Sequence, residues 1–415
     1  MSTRLLVRAA FCLGGALLVD CSGPDQTIAP SFATASRPQV VVTPSQATLP
    51  VGATQQFQAM LVDPTGQPHA ERRFTWQSSN TGVATVSATG LVTAVATGSA
   101  TITATTYPFS GTALVTVVAS PTATHPAGVI AATTPLADRP FGAAVSRGGT
   151  FLVTRGDDGV GRGDLPAFTF PANVTVGAVP TQVAFSPSGG RAYVTNQLSD
   201  NLGVIDVATN TQVKTIPLQG DPFYVAASPD GTTVYVTDNV GHVYAIDAAT
   251  ETLRNTLTFP SLSNGLVFNP SGSRVYASLL FTSEIVEIDA HADTVIRSIP
   301  IGGGALQGIA IATDGSELYV ADQSFGLLRV VSVASGTEIA QVPVSGDAFA
   351  VAVSPDNAQV YVGLPFTGVV RVIDRASRSV VSTISTGGTP RRIAFSAGGE
   401  TAVIANESGW VNFVQ

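Results

Sequence analysis

Cysteine occurs only at positions 12 and 21 of this 415-residue chain, both near its amino terminus. The remainder can therefore form no internal disulfide and no thiolate metal site, and there is no Cys-x-x-Cys-His to attach haem. A chain of this length buries enough apolar surface to hold together without such staples. Lys214 is the sole lysine. Beyond the first 20 residues, which take Arg4, Arg8 and Asp20 out of 20 basic and 28 acidic groups, the net charge is about −9. Nucleic-acid affinity comes from basic groups clustered on one face that displace phosphate counterions, so this balance argues against such a partner. Arg371, Arg375, Arg378, Arg391 and Arg392 form a modest basic cluster near the carboxyl end, expected to be a solvated face. The four histidines, His69, His125, His242 and His291, share no metal-ligand spacing and are expected at the surface. No later stretch is long and apolar enough to be a membrane helix.

What the chain has in abundance is repetition. One strand core returns at Phe151, Tyr193, Tyr235, Tyr276, Tyr319, Tyr361 and Val403, at intervals of 42, 42, 41, 43, 42 and 42. Within a repeat, Thr181–Ser186, Ala192–Thr195, Leu202–Asp206 and Val213–Leu218 read as four short strands, separated by Gly, Pro, Ser and Asp where turns are needed. Self-similarity at this period with β-rich content predicts radial four-stranded blades. The last repeat stops at Gln415, 12 residues past Val403, and lacks its fourth strand. Thr133–Phe141 (TTPLADRPF) matches Thr215–Phe223 (TIPLQGDPF) in register, so the segment from Val129 to Leu136 is expected to pair with the final repeat and close a ring of seven.

Tyr193-Val194-Thr195-Asn196, echoed by Tyr235-Val236-Thr237-Asp238, Tyr319-Val320-Ala321-Asp322 and the turn Ser228-Pro229-Asp230-Gly231, resembles the YVTN family of bacterial seven-bladed propellers, with its surface-layer and lactonase-like repeats. That resemblance implies a fold rather than an activity, because the architecture hosts binding modules, lactonases and lyases alike. Upstream, about seven short β runs lie between Pro38 and Val118. Trp76-Gln77-Ser78-Ser79-Asn80, Val83–Val86 and Gly90–Ala94 are similar to the group 2 bacterial immunoglobulin-like domain of surface adhesins, which implies a spacer with Trp76 as core anchor. The fold expected is all-β: an immunoglobulin-like sandwich, then a seven-bladed propeller whose closing strand precedes its first blade.

Arg4 and Arg8 precede a short apolar stretch, Ala9–Val19, that reads as an export signal. Leu18-Val19-Asp20-Cys21 is similar to a lipobox, in which Cys21 would carry the lipid, although Asp20 departs from the small neutral residue of that pattern. The expected segments are a leader at 1–20, a tether at 21–37, the immunoglobulin-like domain at 38–118, a solvated Pro/Thr/Ala linker at 119–127 and the propeller at 128–415.

Ligands of propellers sit where loops enter the innermost strands and where second and third strands join. By repeat register the first set supplies Phe141, Thr181, Phe223, Asn264, Gln307, Phe349 and Arg391, and the second supplies Arg155, Asp157, Asp158, Asn196, Asp238, Asp322 and Asn406. This mix of aromatics, amides and a cation suits a peptide or glycan. Asn and Asp after a strand are equally favoured as turn formers. The loop Arg155–Asp164, with Arg-Gly-Asp twice, is expected to be a flexible insertion. The function expected is a non-catalytic, exported, envelope-associated module that binds an envelope or extracellular protein or a polysaccharide, as a monomer with no cofactor and no metal, touching membrane only through its lipid. The alternative is a lactonase-like propeller hydrolase or lyase using Asp157, Asp238 or Asp322 as acid and base, at a carboxylate or metal-assisted site.

Overall fold

The computed structural model describes residues 37–51, 53–69, 73–118 and 123–415. The expected leader, Cys21 and almost all of the expected tether lie outside the described residues.

In the first domain, Gln46–Pro50, Phe109–Val118, Gly98–Thr106 and Thr75–Ser78 form a four-stranded sheet in that order. Thr54–Gln56, Leu91–Ala94 and Ala84–Val86 form a three-stranded sheet, and Gln39–Thr43 pairs with Gln58–Val62. Alternation along Gly98–Thr106 sends Ala100, Ile102 and Ala104 inward, against Phe57, Val92 and Val115. Phe57 is the fully buried centre of this core, and the expected anchor Trp76 packs partly buried at its edge. Gly90 makes that packing possible. Its φ is +88°, and a Cβ there would lie 2.5 Å from the Phe57 carbonyl oxygen and 2.8 Å from the Trp76 ring.

Residues 130–414 form seven four-stranded antiparallel sheets among the described residues. The innermost strands are Ala143–Val145, Pro180–Phe185, Pro222–Ala227, Ser263–Phe268, Leu306–Ile311, Ala350–Val353 and Pro390–Phe395. Each contacts the next, and the last contacts the first, so the sheets close into a ring, numbered here as blades 1 to 7. Burial explains the sequence pattern. Second strands such as Arg191–Asn196 are sandwiched between neighbouring blades and buried on both faces, whereas outer strands such as Thr211–Pro217 alternate between exposed and packed residues. The residues that set the repeat phase, from Phe151 to Val403, are all buried in second strands. Turns follow from their side chains: Ser228 Oγ accepts from the Thr232 and Thr233 amides, and Gly231 supplies the positive φ of +74° that closes the turn.

The seam uses both ends of the propeller. Ile130–Pro135 pairs antiparallel with Trp410–Val414, with Ala132 opposite Phe413, and reciprocal amide bonds join Val129 and Gln415 at 2.9 and 2.8 Å. Phe413 is fully buried against Phe151 and Phe168, with ring centroids 5.1 and 4.8 Å away, which locks blade 7 to blade 1.

Three expectations need correction. The Gly-rich stretch is no flexible insertion, since Gly159–Asp164 is the third strand of blade 1. Its glycines make room for rings: a Cβ on Gly161 would lie 2.8 Å from Phe170, and one on Gly163 would lie 2.3 Å from Phe151. The described part of the linker is docked rather than solvated. Thr124 donates its amide to the Gly398 carbonyl, Pro126 is buried and accepts from Tyr361 Oη, and His125 Nδ1 lies 2.5 Å from Asp356. His125 and His242 are accordingly engaged side chains and not free surface residues.

Candidate functional site

The expected entry residues are brought to the axis by one recurring irregularity. In blades 2, 3, 4 and 7 the first two strands slip register around Thr181, Phe223, Asn264 and Arg391, and in blade 5 around Gln307-Gly308. A β-bulge leaves one residue unpaired and re-aims its side chain, here toward the ring centre. Phe141 and Phe349 stand just ahead of the inner strands of blades 1 and 6 and do the same. Phe141 lies 5.6 Å from Phe223 and 6.1 Å from Phe349, centroid to centroid and edge to face. The Arg391 guanidinium sits 4.8 Å from the Phe349 ring and 5.5 Å from that of Phe141. Asn264 Nδ2 donates to Gln307 Oε1 at 2.6 Å, and Thr181 Oγ1 donates to the Phe223 carbonyl at 2.8 Å.

The residue at the centre of this cluster is Arg392. It is only 5% exposed, and its guanidinium lies 4.9–5.8 Å from the rings of Phe349, Tyr224, Phe141 and Phe223, which come from three different blades. It donates to the carbonyls of Arg391 at 3.1 Å and Asn264 at 3.5 Å, and forms no ion pair with any described carboxylate. Its Nε, with Gln182 Oε1 and Asn264 Oδ1, is buried without a hydrogen-bond partner. Burial, with the neighbouring Arg391 charge, pulls its pKa down to about 10. The basic doublet is thus an axial feature and not a solvated face. The doublet was visible in the sequence, but the bulge that places both residues near the axis was not.

Most charges around this centre are paired, whereas Arg392 is not. Glu407 bonds both Arg139 and Arg391, the latter at 2.6 Å, and these bonds outweigh the upward push of burial and hold its carboxyl below the usual range. Arg155 bridges Asp138 at 3.0 Å and Asp157 at 2.6 Å. A cleft of about 200 Å³ opens between blades 1 and 2, lined by Arg139, Phe141, Thr181, Gln197, Phe223 and Glu407.

The second set behaves differently. Asn196, Asp238, Asp322 and Asn406 are fully buried and hold their own loops. Asn406 Oδ1 accepts from the Thr389 and Ser408 amides, and Asn196 Nδ2 donates to Asn201. Asp238 accepts from the amides of Val240, Gly241 and His242 at 2.7–3.0 Å, from Tyr244 Oη at 2.8 Å, and lies 2.6 Å from His242 Nδ1. Asp322 is paired with buried Arg329 at 2.6 Å. These four residues do not line the mouth, so turn formation is their role here. Asp157 is held by Arg155 and by the Gly159 amide, and Asp158 is exposed at the loop tip. Each of the three carboxylates considered as acid and base is thus bonded within its own loop, with Asp157 a third exposed. Among the described residues no group of three or more His, Cys, Asp or Glu is placed to hold a metal ion.

Sequence reasoning also missed the tips of those loops. Leu198, Val240, Phe281 and Phe366 occupy one position in blades 2, 3, 4 and 6, Phe325 stands one residue further on in blade 5, and all five are 58–80% exposed. Their spacing of 41 to 44 residues was readable.

Residues 37–118 match the family model of the bacterial Ig-like domain, group 2. The first domain has that family's sequence pattern as well as its fold. Domains of this family occur in bacterial surface proteins, and among the described residues no helix is long and apolar enough to cross a membrane. Among solved structures, a chain of Kuenenia stuttgartiensis hydrazine synthase superposes with a TM-score of 0.64 at 19% identity, covering 70% of this chain and 99% of that one. At that identity the likeness is one of fold, and it supports the propeller. No curated protein matches the chain.

Proposed function

We propose that this protein is an exported, envelope-associated binding protein in which the Ig-like domain spaces a YVTN-type propeller from the surface, and the propeller binds a protein or polysaccharide at its axial mouth. The observation that carries the reading is the convergence of Phe141, Phe223, Phe349, Arg391 and Arg392 from four blades on one partly open centre. A fold needs no uncompensated buried cation at its axis, and a binding site for an anionic, partly apolar group does. Export rests on the apolar stretch after Arg4 and Arg8, and anchoring on Cys21, which would carry the lipid. The test is binding of residues 37–415 to acidic and neutral polysaccharides and to peptide libraries, with Arg391→Gln as the variant. Saturable binding that weakens in the variant supports the reading, and absence of any saturable binding overturns it.

A further inference from the structure

The loops between second and third strands share one face with the axial mouth, because they bond directly to the entry loops. The Leu198 amide donates to the Ala178 carbonyl, the Phe281 amide to Ser261 Oγ, and the Phe366 amide to the Asp347 carboxylate. In blades 2 to 6 these loops end in Leu198, Val240, Phe281, Phe325 and Phe366, the last 80% exposed. At the same place blades 7 and 1 carry Glu407 and Arg155–Asp158 instead. The face is thus an apolar arc spanning five successive blades, a charged sector across the remaining two, and a recessed cationic centre.

In blades 2, 3 and 5 the buried Asn or Asp that precedes the tip holds the loop, so the turn does not depend on an apolar tip there. Together they offer on the order of 600 Å² of apolar side-chain surface, close to one partner's share of a standard interface, about 800 Å². The outer strands of blades 2 to 6 also carry exposed apolar residues, Val213, Leu253, Val295, Ile296, Ile339, Val380 and Val381, but these are less exposed than the tips and lie on the outermost strands, away from the axial cations.

We propose that this face docks a protein partner through a protruding segment that presents a carboxylate to Arg391 and Arg392 and flanking apolar side chains to the arc. This rests on the binding function proposed above and names its ligand. Shape selects a protein segment over a lipid surface. The apolar tips are exposed while Arg392 is only 5% exposed and the cleft beside it is lined by Arg139, Phe141, Phe223 and Glu407, so a flat bilayer resting on the tips stays clear of the arginines, and a narrow loop or chain end entering that cleft is the shape that suits them. Charge selects an acidic segment, since Glu407 is shared by Arg139 and Arg391, and Arg392 has no carboxylate of its own.

Residues 37–415 would be panned against a displayed library of short peptides, both internal and with free carboxyl termini. Enriched peptides would then be measured by fluorescence polarisation alongside amidated and Asp→Asn counterparts. The expected consensus is an acidic or terminal carboxylate flanked by Leu, Ile, Phe or Val. Affinity should fall about tenfold or more with Phe281→Ser/Phe325→Ser/Phe366→Ser, whose sites are exposed, and again with Arg391→Gln or Arg392→Met. No enrichment, or binding indifferent to the triple variant, overturns the proposal. So does sedimentation with phosphatidylglycerol vesicles that the triple variant abolishes in the absence of peptide binding. Polysaccharide binding lost in Arg391→Gln but kept in the triple variant sinks this inference alone, and loss of all binding by the unaltered chain sinks the general reading with it.

Discussion

Replacing Arg392 by Met should leave the propeller at least as stable as before, although the residue is almost completely buried. Burial lowers its pKa from the ordinary guanidinium range to about 10, so the folded state holds the charged form at a cost of roughly 3 kcal/mol at neutral pH. The sign follows from the direction. A base depressed on folding is penalised at every pH below its folded pKa, and the penalty fades only as pH rises above about 10. Against this stand four ring contacts at 4.9–5.8 Å, each worth about 0.5–1 kcal/mol. Two hydrogen bonds to carbonyls, one of them stretched to 3.5 Å, together add about 2 kcal/mol. Met keeps the ring contacts through its polarisable sulfur and removes the desolvation. The net expectation is a stabilisation on the order of 1 kcal/mol, together with loss of binding, the usual mark of a site held at the expense of stability. The chain has two tryptophans, Trp76 in the Ig-like domain and Trp410 in blade 7. In a Trp76→Phe background, urea unfolding followed by Trp410 emission reports the propeller alone. A destabilisation above about 2 kcal/mol would show that Arg392 is a structural keystone, like one half of a buried ion pair, and would refute the reasoning.

Phe413→Ala should destabilise the propeller by about 3–5 kcal/mol, because the ring is fully buried where blade 7 meets blade 1; the same Trp410 assay reads it. A chain begun at residue 137 should aggregate on concentration, since it bares the Trp410–Val414 edge that Ile130–Pro135 covers, and a chain begun at residue 123 should not; light scattering distinguishes them. Gly90→Ala should lower the unfolding midpoint seen by Trp76 by more than 2 kcal/mol equivalent (about 1 from the positive φ and the rest from the clash) and leave the Trp410 transition unmoved. The Asp314 carboxyl is held down at about 2 by hydrogen bonds from Ser316 and by Arg375. Its stabilisation is therefore complete above the ordinary carboxylate pKa and is lost as pH falls toward about 2, so the stability gap between the parent and Asp314→Asn should close across that window in acid urea titrations.

The frame was legible because it is repeated. Tyr193 and its equivalents fill the same space between blades each time, so one period found the second strands, and the match of Thr133–Phe141 to Thr215–Phe223 located the closing strand beside Trp410–Val414. Entry residues were legible for the same reason, as register carries a bulged position from blade to blade. What the sequence hid were places where one local choice served a neighbour. The glycines of Gly159–Asp164 look like slack until Phe151 and Phe170 are seen packed against them. Thr124–Pro126 reads as a solvated linker until the chain folds back on Gly398 and Tyr361. Arg392 is one residue beyond the expected mouth position, and only the slip after Pro390 explains how both members of the doublet reach the axis.

That division also explains how one frame can carry a face of its own. In blade 3, Asp238 holds the loop by taking the amides of Val240, Gly241 and His242, so the turn is fixed by backbone donors whatever side chain stands at position 240. In blade 5, Asp322 does the same with the Phe325 amide and the Arg329 guanidinium. Loop geometry is thereby separated from tip identity, and tips can change without disturbing the ring. Where a buried Asp holds the loop the turn does not require an apolar tip, and water opposes each exposed apolar side chain by about 1 kcal/mol or more. A retained arc of such residues around a buried, unpaired guanidinium points to a surface that is covered in use.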